Sequence, residues 1–145
     1  MNFKLPVFWV LAIISLATIG CERSGQQGAQ AEIYYIPFEW TTYFATTRDS
    51  ISTSHVRHGY LDASSNDYRR LMKALSVGAD AEFDENAVRA LIVLPDESMR
   101  IYIDSKGVVA GISSTNKKVT ADDKRAVAQI LESATSLVDS ENTQR

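Results

Sequence analysis

The sequence has few of the residues that build disulfides, metal centres and covalent active sites. Its 145 residues include one cysteine, Cys21, and two histidines, His55 and His58. A single cysteine cannot form an internal disulfide, and two histidines without a third ligand at a recognisable interval do not indicate a zinc site. The sequence therefore predicts no bound metal and no cofactor, and a fold held together by its hydrophobic core.

Motifs of the common catalytic classes are missing as well. The chain contains no G-x-S-x-G, no glycine-rich phosphate loop, no pair of cysteines and no H-E-x-x-H. Ser50 or Ser54 could be grouped with His55 and Asp62 as a Ser–His–Asp set, but any chain of this length offers such combinations. We therefore expect no catalytic residues and no enzyme activity.

Neither sign of charge dominates the chain. Its 15 Lys and Arg residues stand against 18 Asp and Glu residues, which gives a net charge of −3 at pH 7. The two signs are interspersed, so there is no basic field that would attract nucleic acid or an anionic lipid surface. A nucleic-acid partner is therefore not expected.

The longest apolar run lies at the N-terminus, over residues 5–20, directly after Lys4. A basic start, an apolar core and small residues at its end are typical of a secretory signal peptide. The run is shorter than the roughly 20 residues that a membrane-spanning helix needs, and Pro6 shortens its helical part further. We therefore predict that residues 1–20 are a cleaved leader, in preference to an uncleaved membrane anchor.

The run ends in the tetrapeptide Thr18-Ile19-Gly20-Cys21, which resembles the lipobox of bacterial lipoproteins. The resemblance implies cleavage between Gly20 and Cys21 and attachment of fatty acyl chains to Cys21. Thr18 departs from the family, which usually has Leu three residues before the cysteine. The resemblance implies that the processed protein is anchored to the periplasmic face of a bacterial membrane. In enteric members of the family, Asp directly after the cysteine indicates retention in the inner membrane, so Glu22 at that position favours the outer membrane.

A polar segment separates the predicted anchor from the rest of the chain. Residues 21–31 contain two glycines and no apolar residue larger than Ala after Cys21. About ten flexible residues span roughly 16–19 Å. The organisation we predict is a lipidated tether at 21–31, one domain at 32–138 and a frayed tail at 139–145.

The densest aromatic stretch of the domain, residues 32–47, is the best candidate for binding a partner. Aromatic and β-branched residues favour strands, so we predict a strand at 32–38 and a second strand at 41–46. Pro37 indicates that the first is either an edge strand or one that breaks early. The rings either pack in the core or stay exposed as a binding patch, since Trp and Tyr are enriched in hot spots. The candidate partner-binding residues are Tyr34, Tyr35, Phe38, Trp40, Tyr43 and Phe44.

The two histidines are interpreted as surface residues. His55 and His58 fall near a predicted strand at 54–61, where residues three apart point to opposite faces and cannot share a ligand. On a helix they could converge, but the preceding Ser-Thr-Ser and the following Gly59 do not favour one.

Two stretches, residues 65–77 and 120–138, repeat their apolar positions with helical spacing. Ser64 or Ser65 is suited to cap the first helix, and Thr120 the second. The first helix also carries a basic face, which is either a solvated surface or a second docking site for an acidic partner. That face consists of Arg69, Arg70 and Lys73.

Residues 86–113 are typical of an antiparallel meander. Apolar and alternating patterns predict strands at 88–94, 99–104 and 108–112, joined by turns. Together with the two helices they indicate an α+β, two-layer domain. We expect an antiparallel sheet of four to six strands with the two amphipathic helices on one face.

Two functional hypotheses follow from size, predicted location and missing chemistry. In the first, the chain is a membrane-anchored periplasmic lipoprotein that binds a protein partner, as inhibitors and immunity proteins against envelope-targeting toxins do. In the second, it is a structural or assembly accessory of the cell envelope. The expected partners are the membrane, through the acyl chains, and one protein of unknown identity.

Overall fold

The computed structural model describes residues 28–97 and 99–137. The predicted leader, the lipidation site at Cys21, most of the tether and the tail lie outside these described residues. In chain order the elements are β1 (Gln30–Tyr35), α1 (Ile51–Ser54), β2 (Arg57–Asp62), α2 (Asn66–Leu75), β3 (Ala79–Asp80), β4 (Val88–Val93), β5 (Arg100–Asp104), β6 (Val108–Ala110), β7 (Lys117–Lys118), α3 (Ala121–Ala134) and β8 (Thr135–Leu137).

The strands form one eight-stranded sheet in the order β3-β7-β6-β5-β4-β1-β2-β8. All pairings between these strands are antiparallel. The prediction of an α+β domain with an antiparallel sheet is therefore confirmed. The predicted four to six strands and two helices are wrong, because the described residues contain eight strands and three helices. The additional elements have only two to four residues each, too few to leave a periodic pattern in the sequence.

One face of the sheet is covered by the two longer helices, α2 and α3. In β1, the alternate residues Ala31, Ile33 and Tyr35 point toward this face and are fully buried. Leu71 of α2 and Leu131 of α3 pack into the same cluster. The alternate residues of the strand and the apolar faces of the two helices thus pack into a single core, and we call this face the helix side of the sheet.

Hydroxyl caps fix where both helices begin. The Ser65 hydroxyl accepts a hydrogen bond from the Tyr68 N–H at 3.0 Å, and the Thr120 hydroxyl accepts one from the Asp123 N–H at 3.1 Å. The predicted helix at 120–138 is nevertheless too long. Thr135 has extended dihedrals (φ −124°, ψ 150°) and starts β8, which pairs with β2.

The opposite face of the sheet holds a second, smaller core. Ile51 of α1 and Ile36 pack there against Val88 and Leu91 of β4. Residues 51–54 form a helix whose one buried side chain is Ile51. Residues 41–46 are not a strand, contrary to expectation, but a loop that ends in an isolated bridge between Thr46 and Ala87.

The meander β4–β5–β6 is confirmed, and its second turn is organised by Asp104. This carboxylate is fully buried. Oδ1 accepts hydrogen bonds from the N–H groups of Lys106 (2.9 Å) and Val108 (2.8 Å), and Oδ2 accepts one from Asp84 N–H (3.0 Å). Gly107 takes the positive φ of 82° that the turn requires.

Candidate functional site

The structure divides the predicted aromatic cluster into a buried part and an exposed part. Tyr35 is fully buried on the helix side of the sheet, and its ring contacts Phe38 edge-on at a centroid distance of 5.6 Å. Phe38 is half-buried against the same core, with the Lys124 ammonium 4.9 Å from its ring centroid. Tyr35 therefore serves the core and offers no surface to a partner, because it occupies an inward position of β1.

The exposed part lies on the segment that follows β1, residues 37–46, which we call the aromatic loop. Trp40 is 48% exposed, Phe44 86% and Tyr43 95%. Large aromatic side chains are usually buried at least in part, so three exposed rings in five consecutive positions form an unusual surface. Beneath them is a groove of about 300 Å³ lined by Ile36, Trp40, Thr41, Thr42, Tyr43, Phe44, Ala45, Thr46, Ser54 and Val56.

Backbone hydrogen bonds clamp both ends of the aromatic loop to β4. At its start, the Ile36 N–H donates to the Arg89 carbonyl at 2.8 Å. At its end, the Val88 N–H donates to the Thr46 carbonyl at 2.8 Å, and the Thr46 N–H donates to the Asn86 carbonyl at 3.2 Å. The exposed rings therefore project from a loop whose two ends are held by neighbouring residues of one strand.

Arg89 adds a third clamp from below the loop. Its side chain is only 7% exposed, and Nη2 donates to the Trp40 carbonyl at 3.3 Å while Nη1 donates to the Val88 carbonyl at 3.4 Å. Among the residues that the structure describes, no carboxylate forms an ion pair with it. Burial lowers the pKa of Arg89. The Nε atom of Arg89 is buried without a hydrogen-bond partner among the described residues, so this costly buried cation is held by one carbonyl of its own strand and one of the aromatic loop.

A second group of side chains converges next to the aromatic loop, on the face opposite the long helices. Register places Tyr34 of β1 opposite His58 of β2, and Glu32 opposite Tyr60. His55, the residue after α1, brings its ring to within 4.9 Å of the Tyr34 ring and 5.6 Å of the His58 ring. We call these five residues the histidine cluster.

Glu32 is the one carboxylate of the histidine cluster and the partner of its polar groups. Its Oε1 lies 3.0 Å from His58 Nε2 and 3.4 Å from the Tyr60 hydroxyl, which donates to it. Partial burial alone would raise the pKa of Glu32, but the interactions with His58 and Tyr34 outweigh it and lower the pKa below 4.5. Glu32 is therefore a carboxylate at neutral pH.

Burial is the largest cause of the pKa shifts of two further members of the cluster, Tyr34 and His55. Burial, followed by the interaction with Glu32, raises the pKa of Tyr34 to about 12. Burial, followed by the charge of His58, lowers the pKa of His55 below 6.5. Both groups are thus held neutral at pH 7, and His55 resists protonation.

The histidine cluster was not predicted as a unit, although its members include both histidines. His58 lies on β2 as expected, whereas His55 precedes the strand and reaches the cluster through the end of α1. The spacing of two places Glu32 and Tyr34 on one face of β1, and His58 and Tyr60 on one face of β2, and this is visible in the sequence. The register between β1 and β2, which the sequence does not specify, brings these two pairs of side chains together.

The basic face predicted on the first helix lies on α2. Arg69 donates to the Asn66 side chain at 2.5 Å, and Arg70 forms an ion pair with Asp67 at 3.3 Å. Arg70 and Lys73 also border a depression of about 380 Å³ between α2 and α3. Two of the three cations are therefore engaged within their own helix.

Neither face carries a group suited to hold a metal: within residues 28–97 and 99–137, no three His, Cys, Asp or Glu side chains are so arranged. The helices of this same part of the chain are all too short or too polar to cross a membrane. The chain matches no family model, and comparison with curated proteins and with solved structures finds no significant match.

Proposed function

We propose that this chain is a membrane-anchored periplasmic lipoprotein whose folded domain binds another protein through the aromatic loop. The observation that carries the proposal is the exposure of Trp40, Tyr43 and Phe44 on a loop clamped to β4. The anchor is the acylated Cys21 that the lipobox resemblance implies. The domain and its partner would meet in the periplasm, at the membrane surface.

Exposed rings on a clamped loop suit protein binding for two energetic reasons. Burying a side chain of the size of Phe contributes about 1.5–3 kcal/mol, and Trp and Tyr dominate binding hot spots. A loop that is already ordered also loses less conformational entropy when it binds. The hydrogen bonds at Ile36, Thr46 and Arg89 supply this order before a partner arrives.

The path of the chain favours a protein over the membrane as the surface that covers the rings. The tether enters β1 at Gln30, and the aromatic loop leaves it after Tyr35. These six residues span about 20 Å at roughly 3.3 Å per residue, so the aromatic loop lies at the end of β1 opposite to Gln30. We therefore propose an orientation in which Gln30 is the end of β1 nearer to the membrane and the aromatic loop faces away from it.

The specific form that we propose is capture of an envelope-targeting toxin, with this chain as an inhibitor or immunity-type protein. It is supported by the small size of the domain, its predicted location and its exposed binding loop. A strain that lacks the gene should be killed by competitors that secrete such toxins, yet resist detergent as the wild type does. Sensitivity to detergent without any attacker would instead indicate an envelope accessory.

Photocrosslinking tests the binding surface directly. Tyr43→p-benzoylphenylalanine in the full-length protein, expressed in its membrane, should give a discrete protein adduct on irradiation. The matched control is Val77→p-benzoylphenylalanine, since Val77 is 56% exposed on the α2 side of the domain. The same adduct from both positions, or adducts with lipid alone from position 43, would contradict the proposal.

The anchor has its own test, independent of the partner. Mass spectrometry of the purified native protein should find an N-terminal Cys21 that carries fatty acyl chains. Cys21→Ser should release the protein from the membrane or leave it unprocessed. A protein that retains Met1 together with an unmodified thiol would refute the lipoprotein assignment and leave the aromatic loop as a separate question.

A further inference from the structure

His55 connects the histidine cluster to the groove beneath the aromatic loop. It lies between Ser54 and Val56, and these two neighbours line the groove together with Trp40. On its other side, the His55 ring contacts the Tyr34 ring edge-on, with an interplanar angle of 74°. His55 and its two neighbours thus form one short segment that borders both the histidine cluster and the groove.

The surroundings of His55 favour its neutral form. β1 presents Glu32 and Tyr34 to it, β2 presents His58 and Tyr60, and α1 carries no ionisable side chain. The carboxylate of Glu32 is engaged by His58 Nε2 at 3.0 Å. A proton on His55 would thus add a charge to a half-buried ring that lies 4.9 Å from the Tyr34 ring and 5.6 Å from a second histidine. Burial and the charge of His58 oppose that proton more strongly than the Glu32 carboxylate attracts it, so the pKa of His55 is lowered.

We propose that the histidine cluster makes the aromatic loop acid-sensitive: protonation drives His55 out of contact with Tyr34 and His58, and the shift of residues 54–56 opens the groove beneath Trp40. This inference rests on the proposed binding role of the aromatic loop, whose regulation it specifies. The lowered pKa of His55 agrees with it, because a group that is costly to protonate in one conformation favours another once it is charged.

The element that moves is short, and its residues after the buried Ile51 are exposed. α1 has four residues and no side-chain N-cap hydrogen bond. The segment after it is joined to β1 by the hydrogen bond from Val56 N–H to the Tyr35 carbonyl at 3.2 Å. The N–H groups of Ser54 and His55 donate to carbonyls within the same turn, those of Ser50 (2.8 Å) and Ile51 (3.1 Å). Exposed segments with few buried apolar contacts open at low free energy. Acid would therefore reshape the loop groove without unfolding the sheet.

Trp40 reports on the groove without any partner. The chain has two tryptophans, Trp9 and Trp40, and Trp9 lies in the predicted leader. Trp40 is therefore the one tryptophan of the processed protein in detergent micelles, and Trp9→Phe makes it the one tryptophan of any unprocessed protein as well. The Trp40 emission maximum should shift to longer wavelength between pH 8 and pH 5, with a midpoint below 6.5, while far-UV circular dichroism stays constant. His55→Gln should abolish the shift. A flat Trp40 profile in the parent, or an unchanged transition in His55→Gln, would overturn the proposal.

His58→Gln supplies a second measurement with a definite sign. Removing the charge of His58 relieves the repulsion that disfavours a proton on His55, so the midpoint of the Trp40 transition should move to higher pH. A midpoint that stays in place or falls contradicts the mechanism. The result can be told apart from that of the crosslinking experiment. A Trp40 fluorescence transition without a protein adduct would refute the binding function alone. A protein adduct together with a Trp40 emission maximum that does not change with pH would refute the acid sensitivity alone.

Discussion

Arg89 and Trp40 are joined by a hydrogen bond of 3.3 Å from the guanidinium Nη2 to the main-chain carbonyl. This bond joins a buried strand residue to the exposed aromatic loop. The Arg89 backbone carbonyl also accepts from Ile36 N–H, so one residue holds the loop at two points. The arginine interrupts the apolar run of β4 because its side chain supports the loop.

Arg89→Met tests this clamp. Methionine fills a similar volume but cannot donate to Trp40, so the aromatic loop should become mobile. In the Trp9→Phe background, the fluorescence anisotropy of Trp40 should fall. The free energy of unfolding should change by less than about 1.5 kcal/mol, because removing a buried cation without a carboxylate partner offsets the lost hydrogen bonds. Unchanged anisotropy, or global unfolding, would show that Arg89 supports the core instead.

Asp104 is predicted to be the most sensitive carboxylate of the fold. Asp104→Ala leaves the N–H groups of Asp84, Lys106 and Val108 without their acceptor. The Val108 hydrogen bond is buried and the other two are partly buried. Since each unsatisfied buried donor costs about 1–3 kcal/mol, the free energy of unfolding should fall by about 2–3 kcal/mol in urea denaturation. Asp67→Ala is the control, since its exposed ion pair with Arg70 contributes less than about 1 kcal/mol. Equal losses in both variants would contradict this role of Asp104.

The sequence predicted the helices and strands in which the apolar spacing repeats several times, and it did not predict the elements that are too short to show a repeating spacing. The strands of the meander at 88–112 show apolar or alternating patterns, and the two long helices show repeated helical spacing and begin at the hydroxyl caps Ser65 and Thr120. α1 shows one apolar residue, Ile51, and no period. The end of α3 was missed for the opposite reason, because apolar spacing continues past Ala134 while Thr135 adopts the extended conformation of β8.

For the aromatic loop and the histidine cluster, the sequence indicated which residues to consider but not how they are arranged in space. Aromatic density pointed to residues 34–44, but it could not show that Tyr35 faces the helix-side core while Tyr43 and Phe44 face solvent. That division depends on where β1 ends. The histidine cluster depends on the register of β1 against β2, a tertiary property that no local pattern fixes.

Gly59 should tolerate no side chain, because β8 begins directly beside it. A Cβ at this position would overlap the carbonyl oxygen of Ala134 and crowd Thr135 Cα at 2.9 Å. Gly59→Ala should therefore cost about 3 kcal/mol, the upper range for overpacking, and lower the melting temperature by about 10 °C. Gly28→Ala is the matched control, since its Cβ would lie an ordinary 3.5 Å from Asp62 Oδ1. A stable Gly59→Ala protein would mean that β8 is not docked on β2.

Acid should weaken the fold in two steps with different origins. Glu32 has a folded-state pKa below its ordinary 4.5, so its stabilisation is present above pH 4.5 and is lost as the pH falls through the folded-state value. His55 has a folded-state pKa below 6.5, so the unfolded chain takes up its proton first and stability already begins to fall near pH 6.5.

Melting curves of Glu32→Gln and His55→Gln between pH 8 and pH 3 separate the two steps. Glu32→Gln should remove the loss below pH 4.5 and keep the decline that starts near pH 6.5, whereas His55→Gln should do the reverse. Asp62→Asn is the control, because the Ser64 hydrogen bonds that lower the pKa of this exposed carboxyl leave the histidine cluster untouched. If Glu32→Gln instead abolished the decline near pH 6.5, the carboxylate and not His55 would be the group that senses mild acid.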